Sequence, residues 1–469
     1  MRNLKKISLF HFFCFLFIIS FSKNIQYSAE TAFILGKGDY APFWLTANQY
    51  GKYSFNNNSL YAIGSLIMPY SNEKDFDYSM GIEGSCRYDT TGKGLLNQSF
   101  LKFRYKDFIL GGGRINETFG NADSSLTCGN IIWSGNALPM PKIFFRTDNF
   151  INVPFTSGFV KFKAYYCHGW FDQDRYVKDV LLHHKNLHFK IGGDKKINFS
   201  FGLEHFAQWG GESPNPRFGK LPSTLSDYIL IVLIDSANAS NADSGEVMNK
   251  LGNHIGSYNL SFNYKLPNHN LNIYWQSIFE DNSGRLLKNT PDGLYGISLN
   301  SNKNDKLING ILYELLYTVN QSGYPVLGDS MNYKAGDDTY FMHWIYTSDW
   351  TYNKTTIGTP FITSPLLNQN NENRIVNNSV IVQHFGLRGK FKDYNYRSLI
   401  SYSRNYGVHH LPFSNVKKQL SILFEVSFPI EIYAPLNLSI KTGIDIGKMY
   451  GNNFGILISL KKTGLLFNE

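Results

Sequence analysis

Polar and apolar residues alternate along most of this chain. Between Tyr258 and Glu280 the sequence reads YNLSFNYKLPNHNLNIYWQSIFE. Tyr258, Leu260, Phe262, Tyr264 and Leu266 interleave with Asn259, Ser261, Asn263 and Lys265. After Pro-Asn-His-Asn the alternation resumes, with Leu271, Ile273, Trp275 and Phe279 on one face and Asn272, Gln276 and Glu280 mostly on the other. A period of two over this length predicts two strands joined by a tight turn. The same pattern recurs at Ile197–Leu203, Val160–Tyr166, Leu420–Phe428 and Ala434–Ile446. Several of these strands carry charge on their polar face. A packed core rejects unpaired charge, whereas the wet lumen of a barrel accepts it.

Eighteen strands are predicted, near 27–36, 59–69, 75–89, 95–106, 107–114, 141–150, 157–169, 182–191, 196–206, 253–265, 270–281, 293–300, 306–320, 379–392, 394–406, 416–430, 433–447 and 452–462. Alternate connections between them are short: SNEKD, Lys106-Asp107, NVPFTS, GDKK, LPNHN, NSNKND, Asp393 and EIY. The other set holds every long loop, at 37–58, 115–140, 207–252 and 321–378. Sorting turns to one side and loops to the other is the pattern of an all-β, transmembrane antiparallel barrel of the outer membrane. An even strand number returns both chain ends to one side. The apolar face then meets lipid, and only a closed barrel satisfies every backbone group there. Tyr264, Tyr402 and Tyr433 are expected in interfacial girdles.

Composition agrees. Aromatics make up 16% of residues and charged residues only 17%, below the roughly 25% usual for soluble domains. Residues 1–22, MRNLKKISLFHFFCFLFIISFS, read as a signal peptide: Arg2, Lys5 and Lys6 precede an apolar run from Ile7 to Phe21. No later apolar run is long enough for a spanning helix; Ser226–Ile234, SDYILIVLI, is the most apolar and far too short. Without the leader, 42 basic residues face 36 acidic ones, a net charge of +6. That mild bias suits an acidic polymer or lipid head groups and is no nucleic-acid footprint. Cys86, Cys128 and Cys167 are an odd number without a CxxC, which argues against a disulfide framework.

Candidate chemistry lies in the long loops. In APFWLTANQYG (41–51), Trp44 and Tyr50 beside Asn48 and Gln49 suit stacking on sugar faces with amides bonding hydroxyls. The other reading is that Pro42, Phe43 and Trp44 fold inward and plug the barrel. Loop 207–252 offers Trp209, Arg217 and Lys220 to an acidic ligand, and a short helix capped at Ser226 or Asp227 that packs over or inside the mouth. Loop 321–378 carries Asp337-Asp338, His343, Trp344 and Trp350, a lid with sugar contact. Two adjacent Asp do not make a metal site. His184 and His188 share one strand face with Asn186 while His183 points opposite, with no third convergent ligand. Glu280-Asp281 and Glu314 are a possible carboxylate pair, but carboxylates in a lumen more often pair with Arg285, Arg388, Lys390 or Arg397. No nucleophile elbow, HExxH, P-loop or dinucleotide motif appears. Neither an enzyme nor a cofactor is expected.

The stretches APFWLTANQYG (41–51), NALPMPK (136–142), GNHIGSY (252–258), EDNSG (280–284), PDGLYGISL (291–299), YELLYTVNQSG (313–323) and QHFGLRGK (383–390) resemble, in order, the Wzi family of capsule assembly proteins. The resemblance implies an eighteen-stranded outer-membrane barrel whose loops close the mouth, with lectin-like binding of surface polysaccharide rather than catalysis. Described members also carry a helical bundle before the barrel. Here only a few residues separate the leader from the first strand, which puts periplasmic contacts through such a bundle in doubt for this chain. A transport channel for oligosaccharides is the rival expectation, and a monomer is expected in either case.

Overall fold

The computed structural model describes residues 25–71, 75–237, 242–248, 250–322, 338–368 and 373–466. The predicted leader, 1–22, and Asp337 lie outside them. Among the described residues eighteen strands build the barrel in chain order, apart from a small loop ribbon of Thr351–Tyr352 and Thr355–Thr356: β1 (Gln26–Lys37), β2 (Ser59–Met68), β3 (Phe76–Tyr88), β4 (Gly92–Tyr105), β5 (Phe108–Arg114), β6 (Lys142–Thr147, resuming at Ile151–Asn152), β7 (Val160–Trp170), β8 (Leu181–Ile191) and β9 (Ile197–Trp209). The second half holds β10 (Asn253–Lys265), β11 (His269–Gln276), β12 (Gly293–Ser301), β13 (Gly310–Tyr317), β14 (Ser379–Phe391), β15 (Tyr394–Val408), β16 (Leu411–Ile432), β17 (Ala434–Gly447) and β18 (Asn453–Leu465). Each pairs antiparallel with its chain neighbours. The ring closes between β1 and β18, with Gln26 opposite Leu465 and Lys37 opposite Phe454.

Burial follows the alternation, inverted relative to a soluble protein. On β9 the apolar Ile197, Phe199, Phe201 and Leu203 are exposed on the outside, while Asn198, Ser200 and Glu204 are buried within. On β10 Leu260 is exposed outside, and Asn259 and Ser261 are buried inside. Tyr264, Tyr402 and Tyr433 are all exposed.

Some ends differ from expectation. Strand β16 starts at Leu411 rather than 416, because it pairs with β15 across a tight turn at His409-His410. Strand β11 ends at Gln276 rather than 281. Phe279 then leans on Tyr258, ring centroids 5.1 Å apart, and is only 6% exposed because the turn Asn282–Arg285 covers it. It therefore makes no lipid contact. Glu280 does not line the lumen; it accepts the Phe341 N–H at 2.6 Å in the loops above.

The described residues of the long connections 38–58, 115–141, 210–252 and 318–378 sit at one end of the barrel, with those of the short turns at the other.

Candidate functional site

The barrel interior is filled by its own loops. Residues 123–131 run against the inner wall and are held there by wall side chains. Glu314 on β13 accepts the Thr127 hydroxyl at 2.7 Å and the Cys128 N–H at 2.6 Å, and also the Tyr274 hydroxyl. Gln276 accepts the Ile131 N–H and donates to Asn130. Arg388 pairs with Asp123 at 3.0 Å, and Arg397 donates to the Ser125 carbonyl. Opposite, Asp445 on β17 accepts the Phe43 N–H at 2.9 Å. Gly358 lets residues 355–359 approach so closely that a Cβ there would lie 2.0 Å from the Ile131 carbonyl. One apolar cluster joins these segments to inward residues around the ring, among them Ile34, Tyr61, Ile109, Phe144, Phe206, Leu312, Val382 and Leu457.

This packing decides where the sequence candidates go. Trp44 is 2% exposed and donates to the Ser401 hydroxyl at 3.2 Å. Trp350 is fully buried between Phe171 and Phe206 and donates to the Ile132 carbonyl at 2.9 Å. Trp209 is buried too, but on the outer wall, stacked on Tyr228 at 5.1 Å. The expectation that these three rings offer faces to a sugar is corrected: in each case apolar neighbours take the face. For Trp44 the inward-folding reading is the observed one. Asn48 and Tyr50 sit half-buried in left-handed turns against 129–138, where the Tyr50 N–H bonds the Gly135 carbonyl.

Trp344, Arg217 and Lys220 remain accessible. The Arg217 guanidinium lies 5.8 Å from the Trp344 ring and pairs with Asp243 at 3.0 Å. Trp344 edges a cleft of about 830 Å³ at the long-loop end. Its other walls come from Phe279–Asn282 and Arg285, from Gly245, Glu246 and Lys250, and from Asp338, His343, Thr347 and Arg374. Burial raises the Glu280 carboxyl well above its ordinary range, and Asp338 and Asp281 add to this. Burial also lifts Asp338 to about 6 against the opposing Ser322 hydrogen bond, and pushes His343 down to about 3. The cleft thus holds carboxyl groups able to donate as well as accept, beside Arg285, Arg374 and Lys250. Sequence reasoning missed Arg374 and Asp349, which pair at 3.7 Å behind the cleft; no motif marks either.

Other candidates are structural. His184 and His188 share Glu204 at 3.3 and 3.0 Å inside the wall, while His183 faces outward. Glu314 and Glu280 do not form a pair, since each accepts bonds from different loop backbone. Among the described residues no cluster of His, Cys, Asp and Glu is arranged to hold a metal, and Cys86, Cys128 and Cys167 are free thiols.

A family model described as capsule assembly protein Wzi matches residues 12–362. The chain belongs to the Wzi family. Among solved structures it is similar to Wzi of Escherichia coli, described as an outer-membrane protein involved in group 1 capsule assembly and a carbohydrate-binding β-barrel. That similarity covers 94% of this chain and 84% of the other, at 13% identity and a TM-score of 0.59. Pseudomonas aeruginosa OccK5 (OpdH) aligns over 95% of this chain and 99% of its own at 8% identity and a TM-score of 0.49. No curated protein matches. This Wzi-family chain is an outer-membrane barrel, so its outward apolar rows face lipid.

Proposed function

We propose that this Wzi-family barrel holds capsular polysaccharide at the cell surface without chemically altering it. The observation that carries the reading is a plugged barrel bearing an open cleft on its long-loop end, edged by an exposed Trp344 with Arg217 on its ring. Residues 1–22 are a leader removed on export, and the long loops face the exterior. The polymer lies along the cleft, with Trp344 stacking on a sugar face and Arg285, Arg374 and Lys250 attracting its acidic groups. The raised carboxyls bond its hydroxyls. Family membership and the carbohydrate-binding description of the Escherichia coli relative support the same reading. The protein acts as a monomer.

Two measurements test this. In cells lacking the protein, total polymer stays constant while the cell-bound share moves to the medium; an unchanged partition overturns the holding role. Purified barrel retains acidic polymer on a pull-down, and Trp344→Ala with Arg217→Ala weakens it. Unchanged retention by that double variant removes the cleft from the reading.

A further inference from the structure

Part of the loop after β9 walls the cleft, through Gly245, Glu246 and Lys250, and part does not. Its helix Leu225–Leu233, here α1, lies on the outer wall of β7, β8 and β9. The Tyr228 ring packs 5.1 Å from Trp209, 5.6 Å from His168 and 5.5 Å from His183, and its hydroxyl is 2.9 Å from that of Tyr166. Ile231 joins Ala207, Trp209 and Leu251 in a small apolar cluster separate from the lumen. Lys185 donates to the Val232 carbonyl. The expectation of a helix over or inside the mouth is therefore corrected.

Three observations bear on what lies beyond this helix. First, its Tyr228 packs on the outward-pointing His168 and His183, the latter 0% exposed; His205 and His254, at neighbouring outward positions, line the cleft instead. His205 and His254 bond each other at 2.8 Å, and His254 reaches the Leu251 carbonyl. Second, the far side of the helix is apolar and open, with Leu225 77%, Ile229 52% and Leu233 68% exposed along one stripe. Its one charged residue, Asp227, is buried in a capping box with Thr224. Third, the outward row below it is too short. From Ile197 to Leu203 the uncovered apolar row on β9 spans about 20 Å along the strand at ~3.3 Å per residue. At a tilt of ~40° that is roughly 15 Å across the membrane, against a required apolar band of about 25 Å. The missing ~10 Å is about the diameter of one helix.

We propose that α1 is a lipid-facing element: its Leu225, Ile229 and Leu233 stripe meets acyl chains of the outer leaflet and completes the apolar belt over the outward-pointing His168 and His183. The stripe is continuous with that belt through the exposed Tyr166, Leu187 and Leu203 on the strands beneath.

The test uses full-length barrel in phosphatidylcholine vesicles. Cys86→Ser removes the exposed thiol, and Ile229→Cys carries an environment-sensitive fluorophore. Leu203→Cys serves as the belt reference and Lys220→Cys as the water reference. Lipids brominated on their acyl chains quench the label at 229 as they do at 203, and aqueous iodide quenches it at least about fivefold less than at 220. Iodide quenching equal to that at 220 overturns the proposal. Resistance to both quenchers overturns it as well, since protein would then cover the stripe. Bromolipid quenching that fades as protein per lipid rises identifies a second copy as the occupant, with the same consequence. Leu233→Cys repeats the measurement one turn on, so a single poorly folded variant leaves the outcome readable.

Discussion

Glu314→Ala is predicted to loosen the plug while leaving the barrel closed. The Glu314 side chain is fully buried, and its two oxygens take the Thr127 hydroxyl, the Cys128 N–H and the Tyr274 hydroxyl. A hydrogen bond to a carboxylate contributes about 1.5–3 kcal/mol. Two of the three donors belong to the plug, so truncation costs the docked segment about 3–4 kcal/mol once their loss of partners is included. At ~1.4 kcal/mol per decade this raises local opening by about two to three orders of magnitude. Cys128 reports it directly, being 0% exposed and a free thiol. In vesicles, maleimide labelling of Cys128, read by mass spectrometry, accelerates by that factor. Cys167, equally buried but on β7, stays slow and shows that the wall is intact. Equal labelling rates at Cys128 in wild type and variant would refute the claim that the wall clamps the plug.

Four further outcomes follow from the same geometry. Gly358→Ala forces a Cβ against the Ile131 carbonyl and lowers the melting temperature, at a cost of about 1–3 kcal/mol; an unchanged melting curve would contradict the close approach. Burial lifts Asp292 and Asp338 to about 6 and Asp349 to about 7. Their contribution is full below the ordinary carboxylate range and is lost as pH rises through 6–7, so the protection factors of the mouth loops, the intrinsic exchange rate divided by the observed rate at each pH, are larger at pH 5 than at pH 8, and equal protection factors would count against it. Trp344→Ala weakens polymer retention by about 1 kcal/mol, the value of one aromatic stacking contact, in a titration of labelled acidic polymer. Wild-type protein in a planar bilayer shows no steady conductance, and a constant open pore would favour the transport reading instead.

The eighteen strands were legible because lipid outside and polar packing inside impose a period of two on every one of them, as Ile197–Glu204 illustrates. Loop sorting was legible for the same reason: each strand must cross and return. The plug was not. Trp44 bonding Ser401 and Cys128 bonding Glu314 join residues 357 and 186 positions apart, and no local pattern encodes such pairs. Aromatic loop residues therefore read equally well as ligand platforms or as buried packing, and three of the four tryptophans proved to be buried, two in the plug and Trp209 on the outer wall. One missed signal was present. His168 and His183 occupy outward register positions where alternation demands apolar side chains, and Leu225–Leu233 is an apolar segment with nothing assigned to cover. Read together they mark a helix folded onto the outside wall.

Closure of the ring ties the order of assembly to the order of the chain. Gln26–Lys37 finds one neighbour 22 residues later, at Ser59, and the other only at Asn453–Leu465. Until the last strand emerges, the first carries a free row of amides and carbonyls that hydrocarbon cannot satisfy, each costing several kcal/mol. A chain shortened before Asn453 therefore has two raw edges and no stable place to insert, and the final strand acts as the latch on which biogenesis waits.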